Sequence, residues 1–254
     1  MADEEDAGLR DDAGARDEKA RDEKDVRDLG DLGDLGDDLR DRWHETLVRA
    51  REAAGGPDPT SADAPEPAPY ADNLLARWAE PQRRYHTTAH LAAVLDHIDV
   101  LEEHADAPDL VRLAAWFHDA VYAPDRSENE ERSARLAERA LPEAGLSQEA
   151  TAEVARLVRL TVTHDPAEGD RDGEALCDAD LAILAAPDDA YAAYAAAVRE
   201  EYAFVPDEAF RQGRAAVLRQ LLDLPRLFRT PYGAKEWEAR ARENLTTELD
   251  LLSP

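Results

Sequence analysis

Apolar residues return every three or four positions along most of this 254-residue chain, the period that gathers side chains on one face of an α-helix. Leu39, Trp43, Leu47 and Val48 form one such stripe; Leu91, Val94, Leu95, Ile98 and Leu101 form another. Ala and Leu supply most of the 43% apolar content and β-branched residues are sparse, so intrinsic preference agrees with the period. An all-α bundle follows, with around ten helices and no confident strand. The spacing predicts helices from about Asp37 to the Gly55-Gly56-Pro57 stop, over Tyr70 to Trp78 and over Tyr85 to Ala105. Further helices are expected from Pro108 to Tyr122, Ser127 to Ala140, Ser147 to His164 and Asp178 to Ala185. Ala190 to Tyr202, Asp207 to Leu222 and Lys235 to Leu252 complete the set.

Residues 1–36 are a different material. Ala15-Arg16-Asp17-Glu18-Lys19 and Ala20-Arg21-Asp22-Glu23-Lys24 repeat in tandem, followed by three Asp-Leu-Gly triplets at Asp28, Asp31 and Asp34. With so little to bury, this stretch is expected to be a disordered acidic tail, and 37–254 to be the folded domain. The whole chain carries 58 acidic and 30 basic residues, a formal charge of −28. Such a balance argues against binding a nucleic-acid backbone or an anionic membrane, both of which need clustered Lys and Arg. A small phosphorylated substrate is compatible with it. Cys177 is the single cysteine, no apolar run reaches the length of a membrane span, and the N-terminus is acidic. These features predict a soluble cytoplasmic protein.

Chemistry concentrates in three places. His86-Thr87-Thr88-Ala89-His90 sets two imidazoles four residues apart, on one face of the expected helix, just after Arg83 and Arg84. Thr87 stands where a zinc-protease helix needs glutamate, which removes that reading. His118-Asp119 ends the apolar run Leu113 to Phe117, where one cation beside the helix end could use both side chains. Asp178 and Asp180 sit among Leu176, Leu181 and Ile183, and either can cap a helix or reach a metal. His164 closes a helix and could bind a metal, touch a phosphate or answer the helix dipole. His44, His97 and His104 lie among charges and read as surface residues, and Cys177 lacks the setting of a nucleophile. A structural His–Asp hydrogen bond and paired helix caps are the simpler alternatives.

The order His, His-Asp, Asp resembles the HD superfamily of metal-dependent phosphohydrolases. Flanking segments are similar to a bacterial branch of it: Tyr85 to Leu91, Trp116 to Tyr122, Asn129 to Ser133, Asp178 to Leu184 and Ala241 to Leu245. The resemblance covers about residues 37–252 and implies an HD-type helical bundle with additional flanking helices. It implies one divalent metal (Mn, Fe, Ni, Co, Mg or Zn) on His90, His118, Asp119 and Asp180, with Asp178 as the alternate to Asp180. It further implies that Arg84, His86 and Asn129 meet the substrate, a phosphate ester of a nucleotide or other small phosphorylated metabolite, and that Asp119, Glu130 and His164 act in catalysis. With His164 as the one extra histidine between the pair and the last aspartate, a single ion is expected, and His164 should face the substrate. The alternatives are an HD-type metal-binding sensor without turnover and a helical interaction protein.

Overall fold

The computed structural model describes residues 34–55 and 64–252. The acidic repeats up to residue 33 and the 56–63 part of the expected Pro57 to Pro69 loop lie outside the described residues. Within them there are eleven α-helices and no strand. The first, α1, covers 34–53. It is followed by α2 (Ala68–Trp78), α3 (Thr88–Val100), α4 (Pro108–Phe117), α5 (Asn129–Glu143) and α6 (Gln148–Leu160). Then come α7 (Arg171–Leu181), a 3-10 turn (Ala182–Ala185), α8 (Asp188–Glu201), α9 (Asp207–Asp223), α10 (Pro231–Glu236) and α11 (Glu238–Leu252).

The main core forms around α4. Every residue from Val111 to Phe117 is buried, so this helix has no solvent stripe and must lie at the centre. Trp43 of α1 meets Trp116 edge to face at 5.2 Å, and the Trp78 indole of α2 donates to the Trp116 carbonyl at 3.0 Å. The Trp43 and Trp78 indoles thereby bury their rings and still satisfy their N–H groups, on the Pro67 and Trp116 carbonyls, whereas the Trp116 N–H is buried without a partner. The one charged residue in that buried run, Arg112, is answered by Asp99, Asp109 and Glu102. A smaller core of Leu184, Leu218, Phe228 and Leu245 joins the 3-10 turn to α9 and α11. Asn244 fastens the two parts, its amide donating to the Leu184 and Ala186 carbonyls at 2.8 and 2.9 Å.

Several boundaries differ from the sequence expectation: α3 stops at Val100, α4 at Phe117 and α6 at Leu160, each short of its expected end, and the helix expected over Lys235 to Leu252 is two, α10 and α11. Three further differences have a clear physical reason. α1 already includes Asp34-Leu35-Gly36, assigned above to the tail; Leu35 packs on the core, which outweighs the roughly 1 kcal/mol cost of a helical glycine. α3 begins at Thr88, because Thr87 is extended and the amides before it are bonded elsewhere. Asp178 and Asp180 do not open a helix: α7 starts at Arg171, capped by Asp170 accepting from the Gly173 N–H at 3.1 Å, and both aspartates fall in its last turn.

Asp178 is fully buried and accepts the Arg229 and Thr230 backbone N–H groups, each at 2.8 Å, which ties α7 to the entry of α10. A methyl group on Gly233 would lie 2.6 Å from Asp178 Oδ2 and 2.9 Å from Phe228 Cβ. Gly233→Ala is therefore expected to destabilise the protein by about 2 kcal/mol through overpacking. A thermal midpoint unchanged from the parent protein would show that the α7–α10 junction yields freely.

Candidate metal centre

Four elements bring the site together. α3 supplies His90 from its first turn, the end of α4 supplies His118 and Asp119, the end of α7 supplies Asp180, and the residues after α6 supply His164. His90 and His118 are buried against the face of Trp78, at 6.2 and 5.4 Å between ring centroids. His90 Nε2 is 3.2 Å and His118 Nε2 3.6 Å from the same oxygen, Asp180 Oδ1. Asp119 Oδ2 lies 3.3 Å from His118 Nε2. One ligand atom each from His90, His118 and Asp180 falls within 4.8 Å of the others, a group that could hold a metal ion.

The histidines fit a cation in their hydrogen bonding as well. Both Nε2 atoms are buried without a hydrogen-bond partner. His118 Nδ1 lies 2.7 Å from the Ala115 carbonyl, so that nitrogen carries the proton and the neutral ring leaves a lone pair on Nε2. Burial alone would push the His118 imidazole down, but the Asp119 and Asp180 carboxylates outweigh it and hold it well above its ordinary value. The same attraction overrides burial at both carboxyls and keeps them well below the carboxylate range. His90 moves the other way, lowered by burial, and is ready to act as a neutral donor. Without a metal, then, a proton on His118 balances the two carboxylates, and a cation would take its place.

His164 is brought to the site in an uncommon way. Its φ of 50° is left-handed, rare for a residue other than glycine, and its Nε2 sits 2.8 Å from Asp180 Oδ2. Its ring is thus engaged with a candidate ligand, where the sequence reading placed it toward the substrate. Asp178, the alternate ligand, is removed from contention by its two backbone bonds, and burial raises its carboxyl to about 6.

The other sequence candidates divide. His86 is at the site, but on the segment before α3 and not on a shared helical face; its Nε2 is 3.8 Å from Asp119 Oδ2. Arg84 lies half-exposed at the rim, bonded through its guanidinium to the Pro81 and Arg83 carbonyls. Arg83 is not free to meet a phosphate: its guanidinium is buried between the Trp78 and Tyr122 rings and donates to the His86 and Asp119 carbonyls. Asn129, expected at the substrate, is spent on its own loop, accepting from the Ala123 N–H and donating to the Ala123 and Arg126 carbonyls. Glu130 makes no hydrogen bond or ion pair among the described residues, and its charge is felt at Tyr202. Two of the histidines expected at the surface are half-buried and engaged: His104 binds Glu174 at 2.7 Å, and His97 packs edge-on against Trp237. Cys177 is buried and its thiol is pushed up by that burial, as expected of an inert side chain.

Sequence reasoning missed Glu201. At the end of α8, it accepts the backbone N–H groups of Arg84, Tyr85 and His86 through Oε1 at 2.8–3.0 Å. Its Oε2 takes the Tyr122 hydroxyl and the His86 Nδ1, both at 2.7 Å. One carboxylate therefore fixes the segment before α3 and turns His86 Nε2 toward Asp119. Nothing local marked it, since Glu200-Glu201 reads as the charged end of a helix and its partners are 79 to 117 residues away.

No family model matches the chain, and no curated protein or solved structure matches it. Of the described residues, none forms a helix long and apolar enough to cross a membrane.

Burial would raise the Glu201 carboxyl, but the His86 ring and the backbone amides outweigh it and hold it down to about 2, against an ordinary 4.5. A depressed carboxyl stabilises the fold above its unfolded value, and that stability is lost as pH falls toward the folded value. Glu201→Gln should thus cost about 2 kcal/mol at pH 7, with the gap to the parent protein closing between pH 4.5 and about 2. Urea melts at pH 7 and pH 3 measure it; a gap independent of pH would mean that the charge contributes nothing.

Proposed function

We propose that this protein is a metal-dependent phosphohydrolase of the HD type, acting on a small phosphorylated metabolite. The observation that carries the reading is the pair of partnerless buried Nε2 atoms, on His90 and His118, converging on Asp180 with Asp119 beside them. His90, His118 and Asp180 would hold one divalent ion, with Asp119 completing the set from the side of His118. A nitrogen-and-oxygen donor set without thiolate suits a borderline or hard cation. Bound there, such an ion supplies Lewis-acid polarisation of a phosphoryl oxygen and lowers the pKa of water.

The chain's own residues do the rest. His86 has its Nδ1 held by Glu201, so Nε2 is the nitrogen left to hold or pass a proton at the leaving oxygen. Arg84 is the half-exposed cation at the rim, and to meet a phosphate its guanidinium would leave the Pro81 and Arg83 carbonyls and the Glu200 carboxylate. His164 acts through Asp180, fixing which carboxylate oxygen faces His90 and His118. The order His, His-Asp, Asp in the sequence and an all-helical bundle around these residues support the same assignment. One cluster of this kind stands among the described residues, which favours a single ion over a pair.

Elemental analysis of protein purified without a histidine tag should find about one divalent ion per chain. His118→Ala and Asp180→Ala should lose it, Asp178→Asn should keep it, and His164→Ala should weaken metal affinity about tenfold. A panel of nucleotides and small phosphomonoesters tests turnover: the parent protein should release phosphate from at least one, and Asp180→Ala from none. Metal content equal in His118→Ala and the parent would remove the assignment, and bound metal with no turnover would favour a sensor.

A further inference from the structure

A cavity of about 300 Å³ between α3 and α8 ends at His90 and Asp180. Ala89 and Ala93 line it from α3, and Ala190, Ala193 and Ala197 from α8. Alanine-faced helices can close to direct contact, yet Ala89, Ala93, Ala190 and Ala193 remain exposed across an open gap. Tyr85 and Tyr194 wall one side, edge to face with ring centroids 4.6 Å apart, and Tyr85 also packs on the His90 ring at 4.7 Å. At the inner end, His90 is 6% exposed and its Nε2 has no hydrogen-bond partner. Arg84 is the one cation of the lining.

We infer that this cleft receives a flat aromatic ring carried by the substrate, with the phosphoryl group at the His90–Asp180 end. The inference rests on the phosphohydrolase reading for the position of the phosphate, but the cleft's preference for a ring does not. Methyl walls would leave the hydroxyls of a sugar or polyol unpaired, at a cost in binding. An alkyl chain could line the alanines but would gain nothing from the two tyrosine rings, whereas an aromatic ring packs on both. The volume is at the small end for ligand pockets, enough for one mono- or bicyclic ring system. Arg84 can stack on such a ring or meet the phosphate.

The test uses the full-length protein and four probes: 1-naphthol, glycerol, 1-naphthyl phosphate and glycerol 2-phosphate. Addition of 1-naphthol should shift the amide resonances of Ala93 and Ala193, while glycerol leaves them in place. Filling the cleft with Ala93→Leu or, separately, Ala193→Leu should lower the ratio of kcat/KM for 1-naphthyl phosphate over glycerol 2-phosphate about tenfold. Both sites are exposed helical positions where leucine is nearly as good a helix former as alanine. A ratio unchanged in both variants, or no naphthol-induced shift in the cleft, overturns the inference. If neither these esters nor any member of the phosphoester panel is hydrolysed but 1-naphthol shifts the cleft resonances and Ala193→Leu abolishes those shifts, the aromatic cleft stands and the phosphohydrolase reading falls.

Discussion

Two carboxylates that share one side of a mostly buried imidazole set the terms for this fold. Asp119 and Asp180 both approach His118 Nε2, at 3.3 and 3.6 Å, in a place walled by Trp78. Paired anions withdrawn from water repel one another and lose solvation, so they persist only where a positive partner is built in. A proton on His118 is the least that can serve, and a divalent cation would serve better, since it engages His90 Nε2 as well. The central position of α4 follows from the same need. Its fully buried body holds His118 and Asp119 rigidly at its end, with Trp116 and Phe117 packed behind them.

Around that centre the chain uses buried carboxylates as tethers. Glu201 gathers three backbone amides, a tyrosine and His86, and Asp178 gathers two amides at the entry to α10. Glu201 is a single anion whose hydrogen bonds outweigh its burial, and Asp178, though burial raises its carboxyl, has both oxygens taken by backbone amides. The contrast separates Asp178 from Asp180, only two residues on in the same helical turn: one is saturated by backbone donors, the other faces histidines.

Much of this was legible in the sequence. The three-and-four apolar period sufficed for an all-helical fold, and the His, His-Asp, Asp order for the three residues that cluster. Helix ends were less legible where tertiary bonds override local preference: Glu201 strips the first turn from α3, and the packing of Leu35 extends α1 through a glycine. Asn129 and Arg83 have the residue types of a phosphate site, yet both are consumed by carbonyls and amides of nearby loops. Glu201 could not have been found from spacing, because its partners are brought to it only by the docking of α8. The cleft beside it escaped notice for a different reason, since alanine is as ordinary on a packed helix as on one that lines a gap.

X-ray absorption spectroscopy of the zinc-loaded protein reads the centre most directly. It should show a shell of nitrogen and oxygen alone, with the outer scattering of two imidazoles, those of His90 and His118, and His118→Ala should retain no zinc to give such a shell. A shell containing sulfur, or one with no imidazole scattering, would contradict a metal held by this cluster.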